Sequence, residues 1–116
     1  EVLLMNDSQY PWVILVPRCE GASEIYQLSL ADQHQLLQES MFLGQQLMTL
    51  YAGEKLNIAA LGNVVNQLHV HHVVRFETDI AWPAPIWGKH PVSPYSKAAL
   101  DTQLKLLAGI ADKQWR

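Results

Sequence analysis

The chain has 116 residues, of which 49% are hydrophobic and 16% are charged, so it fits one compact domain and not an intrinsically disordered chain. Eight basic and 11 acidic residues give a formal net charge of −3 without a basic cluster, which disfavours binding to a polynucleotide. The single Cys19 excludes an internal disulfide and no apolar run could span a bilayer, so we expect a cytoplasmic protein without a membrane partner.

Two short β-favouring runs open the chain. Residues 2–5 and 12–16 are predicted strands, and the turn-forming residues 6–11 separate them. Ser29 with Asp32 in the next turn resembles a helix start, because the serine oxygen can accept a hydrogen bond from a free backbone N–H. Apolar residues at spacings of three and four then predict a helix of about 22 residues.

The second half of the chain is predicted to hold two more strands and a second helix. The long helix ends near Gly53, and apolar runs at 56–61 and 68–76 are predicted strands. Residues 78–96 are rich in proline and tryptophan and are expected to form an ordered loop that packs onto the rest of the fold. Residues 97–114 are predicted to be helical, with an apolar stripe formed by Leu100, Leu104, Leu107 and Ala111.

Three of the five histidines lie within four positions. Side chains alternate between the two faces of a strand, so Gln67, His69, His71 and Arg75 share one face while His72 points to the core side. An amide, two imidazoles and a guanidinium in one row suit an anionic ligand. His72 is expected to be a packed, hydrogen-bonded core residue, and the alternative is that it joins the site through a β-bulge. Arg75 binds a phosphate or forms an ion pair at the strand end.

Two kinds of chemistry fit this row. Two imidazoles at i and i+2 could bind a metal, but no third ligand shares their face and the Arg75 cation would repel the ion. In phosphoryl chemistry, a neutral imidazole attacks phosphorus and a second imidazole assists the leaving group. An ordinary histidine pKa of about 6.5 makes both roles available near neutral pH. We therefore expect phosphoryl chemistry without a metal or organic cofactor.

Residues 67–75, QLHVHHVVR, resemble the histidine-triad (HIT) motif, His-x-His-x-His followed by two apolar residues. Further segments resemble the same family. They are the first nucleotide-pocket strands (3–6 and 13–17), the start of the long helix (28–32), the Gly-Gln-x-Val approach to the triad (62–65) and the tail of a bacterial HIT-like hydrolase subgroup (81–88). The sequence departs from the motif at Gln67, whose amide can form hydrogen bonds but cannot titrate.

The resemblance implies a HIT-like α+β fold, with an antiparallel sheet, one long helix packed across it and a C-terminal helix. It also implies a homodimer. We expect a single domain over residues 1–116 whose N-terminal segment is missing or trimmed, because the chain starts at Glu1 and the strand pair that many members carry there is absent.

The resemblance also implies hydrolysis at the α-phosphate of a nucleotide, in a dinucleoside polyphosphate or a nucleoside phosphoramidate. The catalytic positions would be Gln67, His69 and His71. His69 would be the nucleophile that is transiently nucleotidylated, and His71 would contact the phosphate and help the leaving group depart. The alternatives are a regulatory nucleotide-binding module, in which Gln67 marks lost catalysis, and a nucleotidyl transferase that uses the same His69.

The resemblance assigns substrate contacts outside the triad as well. Asn63 would donate to the phosphate or bridging atom, and Asn6 would reach the ribose. The apolar residues Leu3, Leu4 and Ile14 would flank the base. Trp82 and Trp87 either anchor the loop hydrophobically or close over the substrate.

Overall fold

The computed structural model describes residues 1–111. Strands β1 (Val2–Leu4), β2 (Trp12–Leu15), β3 (Lys55–Ala59) and β4 (Val70–Arg75) form one antiparallel sheet in the order β1-β2-β4-β3. Helix α1 (Leu30–Tyr51) connects β2 to β3, and α2 (Lys97–Ala111) follows the long loop after β4. The predicted α+β class, with its antiparallel sheet, long helix and C-terminal helix, is confirmed.

The central strand β4 is covered on both faces, and all six of its residues are buried. Val70 and Val74 belong to the core that α1 and α2 cover. Val73 belongs to a second core on the opposite face, formed with aromatic residues of β2 and the long loop. Alternation along β4 therefore directs His71 and Arg75 to the loop side and His72 to the helix side.

The start of α1 is as predicted, whereas its end uses a different residue. The Ser29 hydroxyl accepts a hydrogen bond from the Asp32 backbone N–H at 3.1 Å. The left-handed residue that ends α1 is Ala52, with φ of 51°, and not Gly53. Gly53 is required for another reason, because a Cβ there would collide with the Val74 side chain.

The predicted apolar stripe of α2 is wrong in part. Leu107 and Ile110 are buried, but Leu104 is 47% exposed. Gln103 takes the inward position one residue earlier, where its Oε1 accepts a hydrogen bond from the Tyr51 hydroxyl at 2.6 Å. A polar residue that pairs with α1 therefore interrupts the apolar pattern. Residues 112–114 of the predicted helix lie outside the described residues.

The loop of residues 78–96 covers the face of the sheet that the helices leave free. Ala81 and Ile86 are buried against Trp12 and Val73, and Trp87 packs beside them. The prediction that this loop packs onto the fold is thus confirmed. Among residues 1–111, no helix is long and apolar enough to cross a membrane.

A buried ion pair closes the turn between β4 and this loop. The Arg75 Nε and Nη2 donate to the two Asp79 carboxylate oxygens at 2.8 and 3.0 Å, and Nη1 donates to Asn57 Oδ1 at 2.8 Å. Asp79 also accepts from the Phe76 backbone N–H. Burial alone would raise the pKa of Asp79, but the hydrogen bonds from Arg75 and Phe76 hold it below its ordinary value.

Replacement Asp79→Ala is expected to lower the free energy of unfolding by about 3–5 kcal/mol, because it leaves the Arg75 cation buried without its counter-ion. Urea denaturation of the variant and of wild type measures the difference. Asp101→Ala, at an exposed position of α2, is the control and should stay within about 0.5 kcal/mol of wild type. Equal effects of the two replacements would contradict a stabilising role for the buried pair.

Candidate functional site

The site is built where the chain enters β4. The strand begins at Val70, so Gln67 and His69 lie in the segment just before it and His71 is its second residue. The ring centroids of His69 and His71 are 5.0 Å apart, with the ring planes inclined at 66°. The structure therefore brings together the two imidazoles that the sequence predicts to act together.

The His69 ring has a defined orientation. Its Nδ1 lies 2.7 Å from the backbone carbonyl oxygen of Gln67. A carbonyl can only accept, so Nδ1 carries the proton and donates. In the neutral ring, Nε2 therefore has a free lone pair, which is what a nucleophile requires.

The His71 ring carries its proton on the opposite nitrogen. The Trp12 indole N–H, which can only donate, lies 2.9 Å from His71 Nδ1. Nδ1 therefore accepts, and the neutral ring carries its proton on Nε2. Trp87 packs edge-on against the same ring, with centroids 5.6 Å apart. The pair thus presents one nitrogen lone pair on His69 and one N–H donor on His71.

The pKa of His71 is lowered from 6.5 to about 4. Burial is the main cause, since only 7% of the residue is exposed, and the neighbouring imidazoles of His69 and His72 add to it. Protonation at Nδ1 would also replace the hydrogen bond from Trp12 with two opposed N–H groups. His71 is therefore neutral at pH 7.

His72 lies on the helix side of the sheet and takes no part in the pair. It is 0% exposed, and its Nδ1 donates to the Val70 carbonyl at 3.1 Å. Its Nε2 accepts from the Ser40 hydroxyl of α1 at 2.7 Å. Burial lowers its pKa. The prediction of a packed, hydrogen-bonded core histidine is confirmed, and β4 contains no bulge that would carry it to the other face.

Gln67 contributes to the pair through its backbone. Its side-chain amide donates to the Cys19 carbonyl at 3.3 Å, which directs it toward the segment after β2. Its carbonyl oxygen is the atom that orients His69. The main-chain carbonyl of Gln67, and not its side chain, therefore orients the His69 ring.

The other predicted site residues do not converge on the two imidazoles through hydrogen bonds. Arg75 is 1% exposed and uses its guanidinium for Asp79 and Asn57, which leaves no access for a phosphate. Asn6 is exposed and its Oδ1 accepts from the Tyr95 backbone N–H at 2.9 Å. Asn63 is exposed in the loop after Gly62, whose φ is +68°.

A row of apolar side chains crosses the sheet beside His71. Ile14 pairs with His71, and Leu3 pairs with Ile14, so these three side chains share one face. Two strand spacings place Leu3 about 10 Å from His71. Leu4 lies on the other face, because it pairs with Val13, the partner of His72. Only Leu3 and Ile14 of the predicted base-flanking residues therefore lie on the side of the pair.

An apolar groove of about 360 Å³ lies on the opposite side of the sheet from His71. Helix α1 lines it with Leu37 and Met41, and β3 contributes Ile58. These three side chains are between 41% and 59% exposed. Within residues 1–111, no group of three or more His, Cys, Asp or Glu side chains could hold a metal ion.

Trp12 is the site residue that the sequence did not identify. It pairs with Val73, and its indole extends diagonally along β4 to reach His71. Strand parity could have placed it on the same face, but the diagonal contact depends on a register that the sequence does not specify. Trp87 packs against the core beneath the loop, as expected of a hydrophobic anchor, and its ring also contacts His71.

Comparisons with known proteins identify a matching family and similar solved structures. The family model of the HIT domain matches residues 1–78. The solved structure of a histidine triad protein from Marinobacter aquaeolei VT8 shares 50% identity, with a TM-score of 0.91, and the match covers 94% of this chain and 80% of that one. No curated protein matches the chain.

Two further histidine triad proteins of known structure are similar. The protein from Sinorhizobium meliloti 1021 is 38% identical with a TM-score of 0.89, over 93% of this chain and 80% of that one. The protein from Bradyrhizobium japonicum is 39% identical with a TM-score of 0.90, over 94% of this chain and 81% of that one.

Fold and motif together define a histidine-triad domain, with two adjacent imidazoles at the start of the central strand. The chain belongs to the histidine-triad (HIT) family and is related to its bacterial members. It is thus a HIT-type nucleotide-binding protein, and the family resemblance seen in its sequence is confirmed.

Acidification is expected to destabilise the fold. The pKa of His71 is about 4 in the folded protein and about 6.5 in the unfolded chain, so the unfolded chain binds the proton more readily between these values. The contribution of neutral His71 to the free energy of unfolding is therefore fully present above pH 6.5 and is lost as the pH falls toward 4. We expect a loss of about 2 kcal/mol from His71 between pH 7 and 5, and buried His72 acts in the same direction.

Urea denaturation at pH 7 and pH 5 measures this change. His34→Gln, an exposed position of α1, should keep the dependence on pH. Equal free energies of unfolding at the two pH values would contradict the burial of neutral imidazoles in the fold.

Proposed function

We propose that this protein hydrolyses a small nucleotide substrate at its α-phosphate through a covalent nucleotidyl-His69 intermediate. The observation that carries the proposal is that the two adjacent imidazoles carry their ring proton on different nitrogens, Nδ1 in His69 and Nε2 in His71. His69 offers a lone pair on Nε2 and His71 offers an Nε2–H donor, as the fixed partners of their Nδ1 atoms require. A nucleophile beside a donor for the charged phosphoryl group suits nucleotidyl transfer.

In the proposed first step, His69 Nε2 attacks the α-phosphorus. A P–N bond forms, and the bond from phosphorus to the leaving group breaks with its electron pair. The His69 ring then carries a positive charge, which its Nδ1–H shares with the Gln67 carbonyl oxygen. The Nε2–H of His71 stabilises negative charge on the phosphoryl oxygens or the departing atom.

In the proposed second step, water attacks the same phosphorus. The P–N bond breaks, the electron pair returns to His69 Nε2, and the proton of the water passes to solvent. The nucleoside monophosphate leaves and His69 is regenerated. The residues invoked need no metal ion or organic cofactor for either step.

The nucleoside is proposed to lie along the row that crosses the sheet beside the pair. Leu3 and Ile14 give an apolar surface that extends about 10 Å from His71, which is long enough for a ribose and base. Asn6 and Asn63, both exposed, are proposed to contact the ribose and the phosphate. The proposed partner is thus a single nucleotide, not a polynucleotide or a membrane.

We also propose a homodimer and a cytoplasmic location. Strand β3 lies at the edge of the sheet and Ile58 on it is exposed beside Leu37 and Met41 of α1. An open edge next to an apolar groove is a surface that a second copy could cover. The unpaired thiol of Cys19 is compatible with a reducing compartment.

Replacement of the two imidazoles tests the mechanism. His69→Ala is expected to lower kcat by at least about 10³-fold, because the nucleophile is lost. His71→Ala should lower it by about 10²-fold, because one donor to the phosphoryl group is lost. Diadenosine tetraphosphate and adenosine 5′-phosphoramidate are the substrates, and chromatography measures released AMP. The control is Asp101→Ala at an exposed position of α2, which should retain wild-type activity.

The same assay separates the alternatives. If wild type binds these nucleotides without releasing AMP, the protein is a binding module and the hydrolase is refuted. Turnover that requires an added acceptor such as inorganic phosphate would instead indicate a transferase. Activity should persist in excess chelator, and its loss would contradict the metal-independent mechanism.

Replacement Leu37→Lys is expected to shift the proposed dimer to a monomer, because it buries a charge in the apolar groove. Analytical ultracentrifugation at micromolar concentration measures the change. Leu104→Lys is the matched control, since Leu104 is a similarly exposed leucine on α2 away from the groove. A monomeric wild type, or a dimer that survives Leu37→Lys, would refute this interface.

A further inference from the structure

The Trp12 side chain contacts His71 and determines which nitrogen of that ring carries the proton. Trp12 is 8% exposed, and its indole N–H donates to His71 Nδ1 at 2.9 Å. We propose that Trp12 is a positioning residue that holds His71 as a neutral Nε2–H donor, so that the preferred substrate is a phosphoanhydride and not a phosphoramidate. This inference rests on the proposed function and names the class of leaving group.

The indole has little freedom to release His71. Trp12 pairs with Val73 on β4 and lies edge-on to Trp87, with ring centroids 6.3 Å apart and an interplanar angle of 86°. Both tryptophans also contact the His71 ring. The hydrogen bond is therefore buried among rings, where competition from water is weak.

Within residues 1–111, the groups that flank His71 do not favour a second proton on its ring. The residues that flank it do not titrate: they are Trp12 and Ile14 from β2, Ala59 from β3 and Trp87 from the loop. The titratable groups that act on it are the imidazoles of His69 and His72, and both lower its pKa. Arg75, on the same face of the sheet, is ion-paired with Asp79.

A neutral His71 restricts the leaving group. When a P–O anhydride bond breaks, the departing phosphate oxygen keeps the electron pair as an anion, and a hydrogen bond from Nε2–H suffices. When a P–N amidate bond breaks, the departing nitrogen needs a proton, which a neutral imidazole does not release near pH 7. The protonation of His71 therefore selects anhydrides as substrates.

The tautomer can be measured without any substrate. In wild type, ¹⁵N-edited NMR of the histidine rings should show His71 as the Nε2–H tautomer alone at pH 7. Trp12→Phe removes the N–H, and we expect a mixture of tautomers and a rise of the His71 titration midpoint. Trp87→Phe is the matched control, because the buried Trp87 N–H has no partner among the described residues and its loss should leave the tautomer unchanged.

An unchanged His71 signal in Trp12→Phe would overturn the positioning role, whether or not the protein hydrolyses nucleotides. Trp12 is part of the core on the loop side of the sheet, so Trp12→Phe could also disturb folding. A second variant that preserves the packing separates the two effects. Incorporation of β-(3-benzothienyl)alanine at position 12 keeps the size of the ring and removes only the donor. It should reproduce the tautomer mixture, and a wild-type spectrum would overturn the proposal.

Activity tests the leaving-group preference. For wild type, kcat/KM with diadenosine tetraphosphate should exceed that with adenosine 5′-phosphoramidate by about 10²-fold, the low end of a general-acid contribution. Trp12→Phe should lower kcat for the anhydride by about three- to tenfold, without a change in KM, because it removes the contribution of one neutral hydrogen bond. Trp12→Phe should also bring the ratio of the kcat/KM values for the two substrates closer to one.

The outcomes of the two measurements are separable. Equal or greater turnover of the phosphoramidate by wild type would overturn the leaving-group inference. Absence of turnover with both substrates would refute the proposed hydrolase, while the NMR result would still decide the role of Trp12.

Discussion

The burial of β4 on both faces is the constraint on which the rest of the structure depends. A strand that is covered on one face can carry polar residues on the other, but β4 has no open face. Three of its six residues, His71, His72 and Arg75, are nevertheless polar or charged. Each must find its hydrogen-bond partners inside the fold, because an unsatisfied buried polar group costs about 1–3 kcal/mol.

The partners of these side chains come from different elements, and this ties the layers together. Ser40 of α1 binds His72, and Trp12 of β2 binds His71. Asp79, in the turn after β4, binds Arg75. Because a shift of the sheet register by one residue would exchange the faces of β4, it would break the bonds of His71 and His72 to Trp12 and Ser40 at once. The polar residues therefore specify the register that the apolar residues stabilise.

The sequence predicts the features that depend on local periodicity. It does not predict contacts between residues that are far apart in the chain. Strand alternation placed His71 and His72 on opposite faces, and Ser29 marked the start of α1. The inward position of Gln103 was missed, because its partner Tyr51 is 52 residues away. Trp12 and His71 are 59 residues apart. Arg75 has a near neighbour in Asp79, but the loop that buries the pair has no periodicity from which burial could be predicted.

The position of the ring proton on His69 and on His71 is set by groups that do not themselves titrate. A backbone carbonyl directs the proton of His69 to Nδ1, and an indole N–H keeps Nδ1 of His71 unprotonated. A histidine at position 67 would add a titratable ring, and its charge would depend on pH. Gln67 keeps the carbonyl that orients His69 and brings no such charge, since an amide does not titrate. The departure from the family motif at this position is therefore compatible with the ring orientations of His69 and His71 that their Nδ1 partners fix.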